Sequence, residues 1–452
     1  MFGARIVADC LFHYQHVLKG HIPGVAVYAQ RTLLEGKDTI AYVDGSDDNA
    51  ASLREYHQEH LLPSGIGVRG LRVVDARDCS ILDAIVNDPA ECAWLRSQLA
   101  NGATFETFTG ASLAWKDCIR IIDPPRHKLR TPTYDDWYQI AQRFDDKEYF
   151  RIEAGALGLS HCFPEHRFGM TEEEVRRHLR DLLERYPKVW LKRPDMESGI
   201  GTLLISRDTL RQVIDTYLQQ FLGERRLIIE AHVGDEGEEV CVASCQLYVP
   251  LAPNAMERIF FSKQYTVAGE HQGNAVCTDE WDALPAHWPE EVRGRIVEEV
   301  WRQSEEFAQH LWQAQCVGYV GFDVIVTFDG RSSFHVCFLE ANVRKTAGTY
   351  AASVRSQVAD SGRVPHPCVV MHACHPATAR HWRDVVRVLA DHPDGYGDIV
   401  FGPNSTEGIL LVKPGALSLD APGCILVAIA SNIARAEELL WAALHRLEAP
   451  AS

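Results

Sequence analysis

Three constellations in the middle of the chain combine residue types that could do chemistry. The first is VWLKRPDMESGIGTLLI, Val189 to Ile205, in which Lys192 ends one apolar run and Ser198, Gly199 and Gly201 lead into the next. Glycines let backbone N–H groups approach an anion closely, and a lysine beside them neutralises phosphate charge. The same pattern serves an ordinary hairpin with a surface lysine. It is neither a Walker A loop nor a dinucleotide fingerprint, because GK[ST] and the strand–GxGxxG–helix context are missing. The second is RLIIEAHVGDEGEEVCVA, Arg226 to Ala243, where an apolar strand ends at Glu230. A carboxylate there can accept from an exocyclic amine or a ribose hydroxyl, and the backbone of Ala231, His232 and Val233 offers donor and acceptor to a purine edge. A solvated acidic turn would read the same way.

The third runs from Gly318 to Tyr350 and places Asp323 in one strand and Glu340 with Asn342 at the end of its hairpin partner. Residues two apart share a strand face. Two carboxylates and an amide oxygen on one face are hard oxygen donors, suited to Mg²⁺ held jointly with phosphate and unsuited to a soft metal. Arg344 and Lys345 follow directly, cations that could hold a substrate carboxylate or a transferring phosphoryl group. An exposed polar hairpin is the plain alternative.

Two other segments carry polar side chains. HPCVVMHACHP offers His366, Cys368, His372, Cys374 and His375, either as zinc ligands or as a strand with inward cysteines. The absence of a second Cys/His pair at finger spacing favours the strand. KQYTVAGEHQGNAV, Lys263 to Val276, is a cover over a substrate site or an exposed loop.

These groups need elements to hold them. Thr171 and Glu174 form a capping-box pattern ahead of Val175, Leu179, Leu182 and Leu183, which predicts a helix ending before Pro187. Then come VWLKRP, TLLIS, the helical DTLRQVIDTYLQQFL and RLIIEAHV, a β–loop–β–α–β order. Residues Glu290 to Gln313 read as one helix, followed by strands GFDVIVTF and FHVCFLEAN around the turn Asp329-Gly330. In the first 145 residues, VAVYA, TIAYVDG, LRVVDA and CIRIIDPP read as strands of a small α/β domain. The tail from 356 holds a Gly-Pro-rich stretch, a strand and the helix ARAEELLWAALHRL.

The whole chain has 452 residues, 46% hydrophobic, with a net charge of −17, which excludes a disordered or fibrous protein and makes nucleic acid an unexpected partner. The longest apolar runs, such as Cys424 to Ala430, are under half of the roughly 20 residues that cross a bilayer, so no membrane span is expected. Thirteen cysteines, with no CxxC pair, sit mostly in apolar runs and are expected to be reduced. The amino-terminal twenty residues carry Asp9, His13 and His16 in place of a secretory apolar stretch, and a cytoplasmic location is expected.

In order, a Lys–glycine loop, a strand-end Glu and a Glu-x-Asn-x-Arg hairpin resemble the ATP-grasp superfamily of carboxylate–amine ligases. The resemblance covers Asp146 to Tyr350 and begins with DKEYFRIEAGALGLSHCFPEH. It implies an α/β (α+β) ATP-grasp fold, with an N-terminal α/β domain at 1–145, a two-part ATP-grasp domain at 146–355 and a C-terminal extension at 356–452. It also implies ATP and Mg²⁺, or Mn²⁺ in its place, as cofactors. Lys147 and Lys192 would bind ATP phosphates, Glu197, Ser198, Gly199, Gly201 and Thr202 the covering loop, Glu230 to Val233 the adenine edge, and Glu239 the ribose. Glu238 competes for that last role. Asp323, Glu340 and Asn342 would hold the metal, and Arg344 an acyl phosphate, with Lys192 assisting catalysis. The loop departs from the family in carrying less glycine and no basic residue. The expected reaction joins a small-molecule carboxylate to an amine, an amino acid or small peptide, and a homodimer is the expected assembly. A phosphotransferase acting on a hydroxyl and a non-catalytic nucleotide-binding subunit are the alternatives.

Overall fold

The computed structural model describes residues 4–9, 26–45, 48–76, 79–110, 113–131, 135–194, 201–209, 211–223, 225–234, 238–251, 256–267, 270–314, 316–390, 398–419 and 422–448. Its N-terminal unit contains β1 (Arg5–Val7), β2 (Thr39–Asp44), α1 (Asp48–Tyr56), β3 (Gly70–Val74), α2 (Ile81–Asn87), α3 (Pro89–Ala100), β4 (Thr104–Glu106) and α4 (Leu113–Ile122). The four strands form a parallel sheet in the order β3-β2-β1-β4.

Two expected strands here are helical. VAVYA opens a 3-10 turn, Ala26–Leu34, which buries Ala29, Leu33 and Leu34. β1 already has a neighbour on each side, so the segment packs on the sheet rather than joining it. CIRII lies in α4, where Trp115, Cys118, Ile119 and Ile122 are all buried. Their three- and four-residue spacing is one helix face, and the run of apolar residues concealed that period.

The central region begins with α5 (Asp135–Phe144) and α6 (Lys147–Ala156), then β5 (His166–Gly169), α7 (Glu172–Leu183), β6 (Lys188–Lys192), β7 (Thr202–Ser206), α8 (Arg211–Phe221) and β8 (Leu227–Ala231). These last strands make an antiparallel sheet ordered β5-β8-β6-β7. The capping box at α7 is formed: the Glu174 N–H donates to Thr171 Oγ1 at 3.2 Å and the Thr171 N–H to Glu174 Oε2 at 3.2 Å. Such a cap contributes about 1 kcal/mol.

Next come β9 (Glu239–Val249), β10 (Glu257–Val267), β11 (Glu270–Cys277), α9 (Glu290–Gln313), β12 (Gly318–Phe328), β13 (Phe334–Asn342) and α10 (Ala347–Ser361). The chain closes with β14 (Cys368–Cys374), α11 (Trp382–Ala390), β15 (Gly408–Val412), β16 (Cys424–Ala430) and α12 (Ile433–Glu448). All eight strands from β9 onward form one antiparallel sheet, β13-β12-β9-β10-β11-β14-β16-β15. α9 buries Ile296, Val300, Trp301, Phe307 and Leu311 under it, each worth about 1.5–3 kcal/mol.

The segment Lys263 to Val276 is therefore not an exposed loop: its described residues belong to the strands β10 and β11, with Gly273 where β14 passes. A Cβ at Gly273 would stand 2.0 Å from the Met371 carbonyl oxygen. HPCVVMHACHP supplies strand β14 with Cys368 and Cys374 buried, and no cluster of three or more His, Cys, Asp or Glu side chains placed for a metal occurs among the described residues. The twelve described cysteines are free. Among the described residues no helix is long and apolar enough to cross a membrane.

The line between residues 355 and 356 falls inside α10, and β14 continues the sheet of β11, so the tail is built into the central unit. One hydrophobic core unites Leu33, Val43, Tyr56 and Val68 of the N-terminal unit with Val354, Val369, Leu410, Val427 and Leu440. The Tyr56 hydroxyl donates to the Leu411 carbonyl.

Candidate active site

α6 starts at Asp146, whose Oδ1 accepts the N–H groups of Glu148 at 2.9 Å and Tyr149 at 3.0 Å. This N-cap sets Lys147 on the first turn. Its ammonium meets Glu340 Oε2 at 2.6 Å. The preceding Asp145 accepts the Val343 N–H at 2.7 Å, which fixes the start of α6 against the end of β13.

β12 and β13 pair in a register that puts Asp323 opposite Glu340 and Gly321 opposite Asn342, with an irregularity just after Asp323. Asp323 accepts from Gln264 Nε2 at 2.7 Å and from Asn342 Nδ2 at 3.2 Å. Arg344 donates to the Asn342 amide oxygen. Burial, and then the neighbouring Glu340, push the Asp323 carboxyl well above the usual carboxylate range. Burial would raise Glu340 too, but Lys147 outweighs it together with a hydrogen bond from Asp323, and Glu340 is held down. Two carboxyls this close share a proton unless a stronger cation arrives. The donor set of two carboxylates and an amide oxygen fits a hard divalent cation whose remaining ligands come from phosphate.

Lys192 ends β6 and donates to Glu230, which also accepts from the guanidinium of Arg151. Glu230 is 1% exposed. Burial opposes its charge, but Arg151 and Lys192 prevail and hold the carboxyl down at about 2. Both oxygens are thus committed to cations, and the reading of Glu230 as an acceptor for an amine or a ribose meets a carboxylate already occupied. The backbone that follows is differently placed. The Ala231 N–H goes to the Glu165 carbonyl at 2.8 Å and the His232 N–H to Lys188 at 3.1 Å, while the Val233 N–H has no partner among the described residues. Trp190 Nε1 donates to His232 Nδ1 at 3.0 Å.

Of the covering loop, Glu197, Ser198 and Gly199 lie outside the described residues. Gly201, at φ 69°, opens β7, and Thr202 pairs with Lys192 across the hairpin. The Gly201 carbonyl accepts from the Arg193 N–H at 2.9 Å and the Tyr217 hydroxyl at 2.6 Å, so the hairpin base is fixed at Lys192. Glu239 accepts from Trp288 Nε1 at 2.5 Å and from His287, while Glu238 is exposed beside it.

Lys345 corrects the expectation that both cations after Asn342 face the carboxylate cluster. Its side chain is 0% exposed and its ammonium lies among Asp9 at 3.2 Å, Glu35 at 2.7 Å and Glu106 at 2.8 Å, all from the N-terminal unit. Arg344 alone turns to Asn342. Arg151 and Gln264 join the site only in the folded chain. Arg151 stands one helical turn after Lys147, a spacing that puts both on one face. Gln264 carries no local signal.

No family model matches the chain, and no curated protein does. Solved structures do, over nearly the whole length. An ADP complex of PurK, N5-carboxyaminoimidazole ribonucleotide synthetase, superposes with a TM-score of 0.55 at 13% identity, covering 99% of this chain and 97% of that one. The ATP complex of carboxyaminoimidazole ribonucleotide synthase from Aspergillus clavatus gives 0.51 at 13% identity, with 98% of each covered. The fold is that of the ATP-grasp proteins. A biotin carboxylase from Campylobacter jejuni, in complex with β-γ-ATP, shares it with a TM-score of 0.52 at 13% identity, over 99% of this chain and 92% of that chain. The ATP-grasp likeness thus takes in the last hundred residues, in agreement with the unbroken eight-stranded sheet.

Proposed function

We propose that the protein is an ATP-dependent carboxylate–amine ligase that joins a small carboxylate to an amine, an amino acid or small peptide, and releases ADP and phosphate. One observation carries the reading: Lys147, at the start of α6, pairs with Glu340 of the hard-oxygen cluster while its carbonyl accepts from Arg151 at 2.9 Å, and Arg151 shares Glu230 with Lys192, so a continuous chain of contacts links the two lysines to the cluster. The solved relatives bound to ADP or ATP support the nucleotide.

In this reading Lys147 and Lys192 neutralise the nucleotide phosphates, the backbone of Ala231 to Val233 meets the adenine edge, and Glu230 keeps Lys192 charged and aimed. Asp323, Glu340 and Asn342 would hold Mg²⁺, which supplies charge neutralisation between phosphate oxygens. A carboxylate oxygen of the first substrate attacks the γ-phosphorus, and the bond to the ADP oxygen breaks. The amine nitrogen then attacks the acyl carbon, loses a proton, and the C–O bond to phosphate breaks. Arg344, anchored on Asn342, holds the acyl phosphate between the two steps. The free cysteines and the need for ATP accord with a cytoplasmic setting.

The test is to incubate the protein with Mg²⁺, ATP, and pooled carboxylates and amino acids, following ADP and new masses one water below the summed substrates. ADP that forms only with both pools supports a ligase. A phosphorylated product with no amide would replace the reading with phosphotransfer.

A further inference from the structure

Arg31, in the 3-10 turn Ala26–Leu34, and Lys413, just after β15, are far apart in sequence and meet over one aromatic ring. Arg31 Cζ is 4.0 Å and Lys413 Nζ 4.3 Å from the Tyr28 centroid. Neither makes an ion pair among the described residues. The nearest large cluster of carboxylates does not supply one, because it is balanced within itself: Asp9, Glu35 and Glu106 face Lys345, Arg5 and Arg130. Two cations are therefore surplus at this point of an otherwise acidic protein.

The arrangement is built rather than incidental. Gln30, wholly buried, accepts the Gly415 N–H at 3.0 Å and so ties the Lys413 turn to the Arg31 turn. Lys413 itself is held at φ 58°, a left-handed conformation that costs backbone energy in a residue with a Cβ. The Nε of Arg31 and the Nε2 of Gln30 are buried with no hydrogen-bond partner among the described residues. Burial, with Arg31 adding to it, lowers Lys413's hold on its proton, and Arg31 together with Lys413 pulls the Tyr28 hydroxyl down. Repelling cations and unsatisfied donors are both relieved by an acceptor-only anion.

A shared neighbour links the cluster to the proposed reaction site. Arg31 lies 5.9 Å from the Tyr350 ring, on the helix that follows Arg344 directly. His271, on β11, feels both the Arg31 and the Glu340 charge.

We propose that Arg31 and Lys413 form a subsite for an anionic group, carboxylate or phosphate, of the amine substrate, so that the acceptor is itself an anion. This rests on the ligase reading above. The experiment titrates inorganic phosphate and, separately, acetate into the Mg–ADP-loaded full chain, in wild type, Arg31→Gln, Lys413→Gln and Lys192→Ala, with Arg31→Lys as the conservative variant. Mg–ADP affinity and thermal midpoint are recorded for each. The expected result is saturable binding of one anion, weakened tenfold or more in Arg31→Gln and in Lys413→Gln and largely kept in Arg31→Lys, with Mg–ADP affinity unchanged. A response to phosphate identifies a phosphorylated acceptor, and one to acetate a carboxylate-bearing acceptor. No binding by wild type, wild-type affinity in both glutamine variants, or a loss seen only in Lys192→Ala would overturn the subsite. Failure of wild type to bind Mg–ADP would instead overturn the ligase reading, and the same anion titration without nucleotide then still decides the subsite.

Discussion

Two lysine–carboxylate clusters stand on either side of the end of β13 and are built on opposite terms. Around Lys345 the ammonium and three carboxylates are buried, the partly exposed Arg5 and Arg130 bring the cations to three against three, and the Tyr350 hydroxyl donates to Asp9 at 2.5 Å. Around Glu340 the pairs are partial: Lys147 takes one oxygen, and burial with the Glu340 charge makes Asp323 beside it hold a proton more tightly than an ordinary carboxyl. A closed cluster holds two units together because none of its members can leave without exposing a buried charge. An unsaturated one can exchange partners with a ligand. Arg344 and Lys345 are chain neighbours, yet one serves each cluster.

Lys345→Met should produce the largest effect on folding. It leaves Asp9, Glu35 and Glu106 without their shared cation, at about 3–5 kcal/mol, to be read by urea unfolding. A loss below about 1 kcal/mol would erase the contrast between the clusters. Glu340→Gln should do the reverse. Turnover falls by on the order of 10³-fold, while stability barely moves because Asp323 can ionise and take over Lys147. Steady-state ADP release and thermal melting measure the two halves, and unchanged ADP release would remove Glu340 from the site.

The Glu230 pair sharpens the comparison, being closed like one cluster and proposed for nucleotide binding like the other. Its carboxyl lies at about 2 when folded, below the usual range, so its contribution is full above an unfolded value of about 4.3 and is lost as pH falls toward 2. That window should remove about 2–3 kcal/mol of stability, and Glu230→Gln should flatten it. Lys192→Ala should weaken ATP binding by about 1–3 kcal/mol, the scale of a charge-assisted hydrogen bond, read by calorimetry. The smallest effect is expected from Gly201→Ala. At φ 69° an alanine costs about 1–2 kcal/mol, which should appear as a weaker hairpin base and a higher ratio of ADP formed to product.

Local pattern carried much of the fold into the sequence. The capping box at Thr171, the helix Glu290–Gln313 and the β6 to β8 order are set by residues within a few positions of one another. The hairpin that carries Asp323 and Glu340 also follows from the short turn at Asp329-Gly330, but their pairing does not: the turn's register would set Asp323 opposite Leu339, and the irregularity after Asp323 moves it to Glu340. Where apolar residues run together, as at Cys118 to Ile122, the period is ambiguous and the helix is hidden.

The sequence by itself determined which residues could bind phosphate and a hard cation, and most of the elements that carry them, because propensity, capping and strand alternation act over short distances. Tertiary structure alone decided what each charge does. Glu230 became the partner of Arg151 and Lys192, Lys345 turned away from Arg344 into the N-terminal carboxylates, Arg31 met Lys413 over Tyr28, and the tail entered the central sheet. The reason is physical: an ion's partner is chosen by distance and burial in the folded chain, and these partners are drawn from strands and helices that only packing brings together.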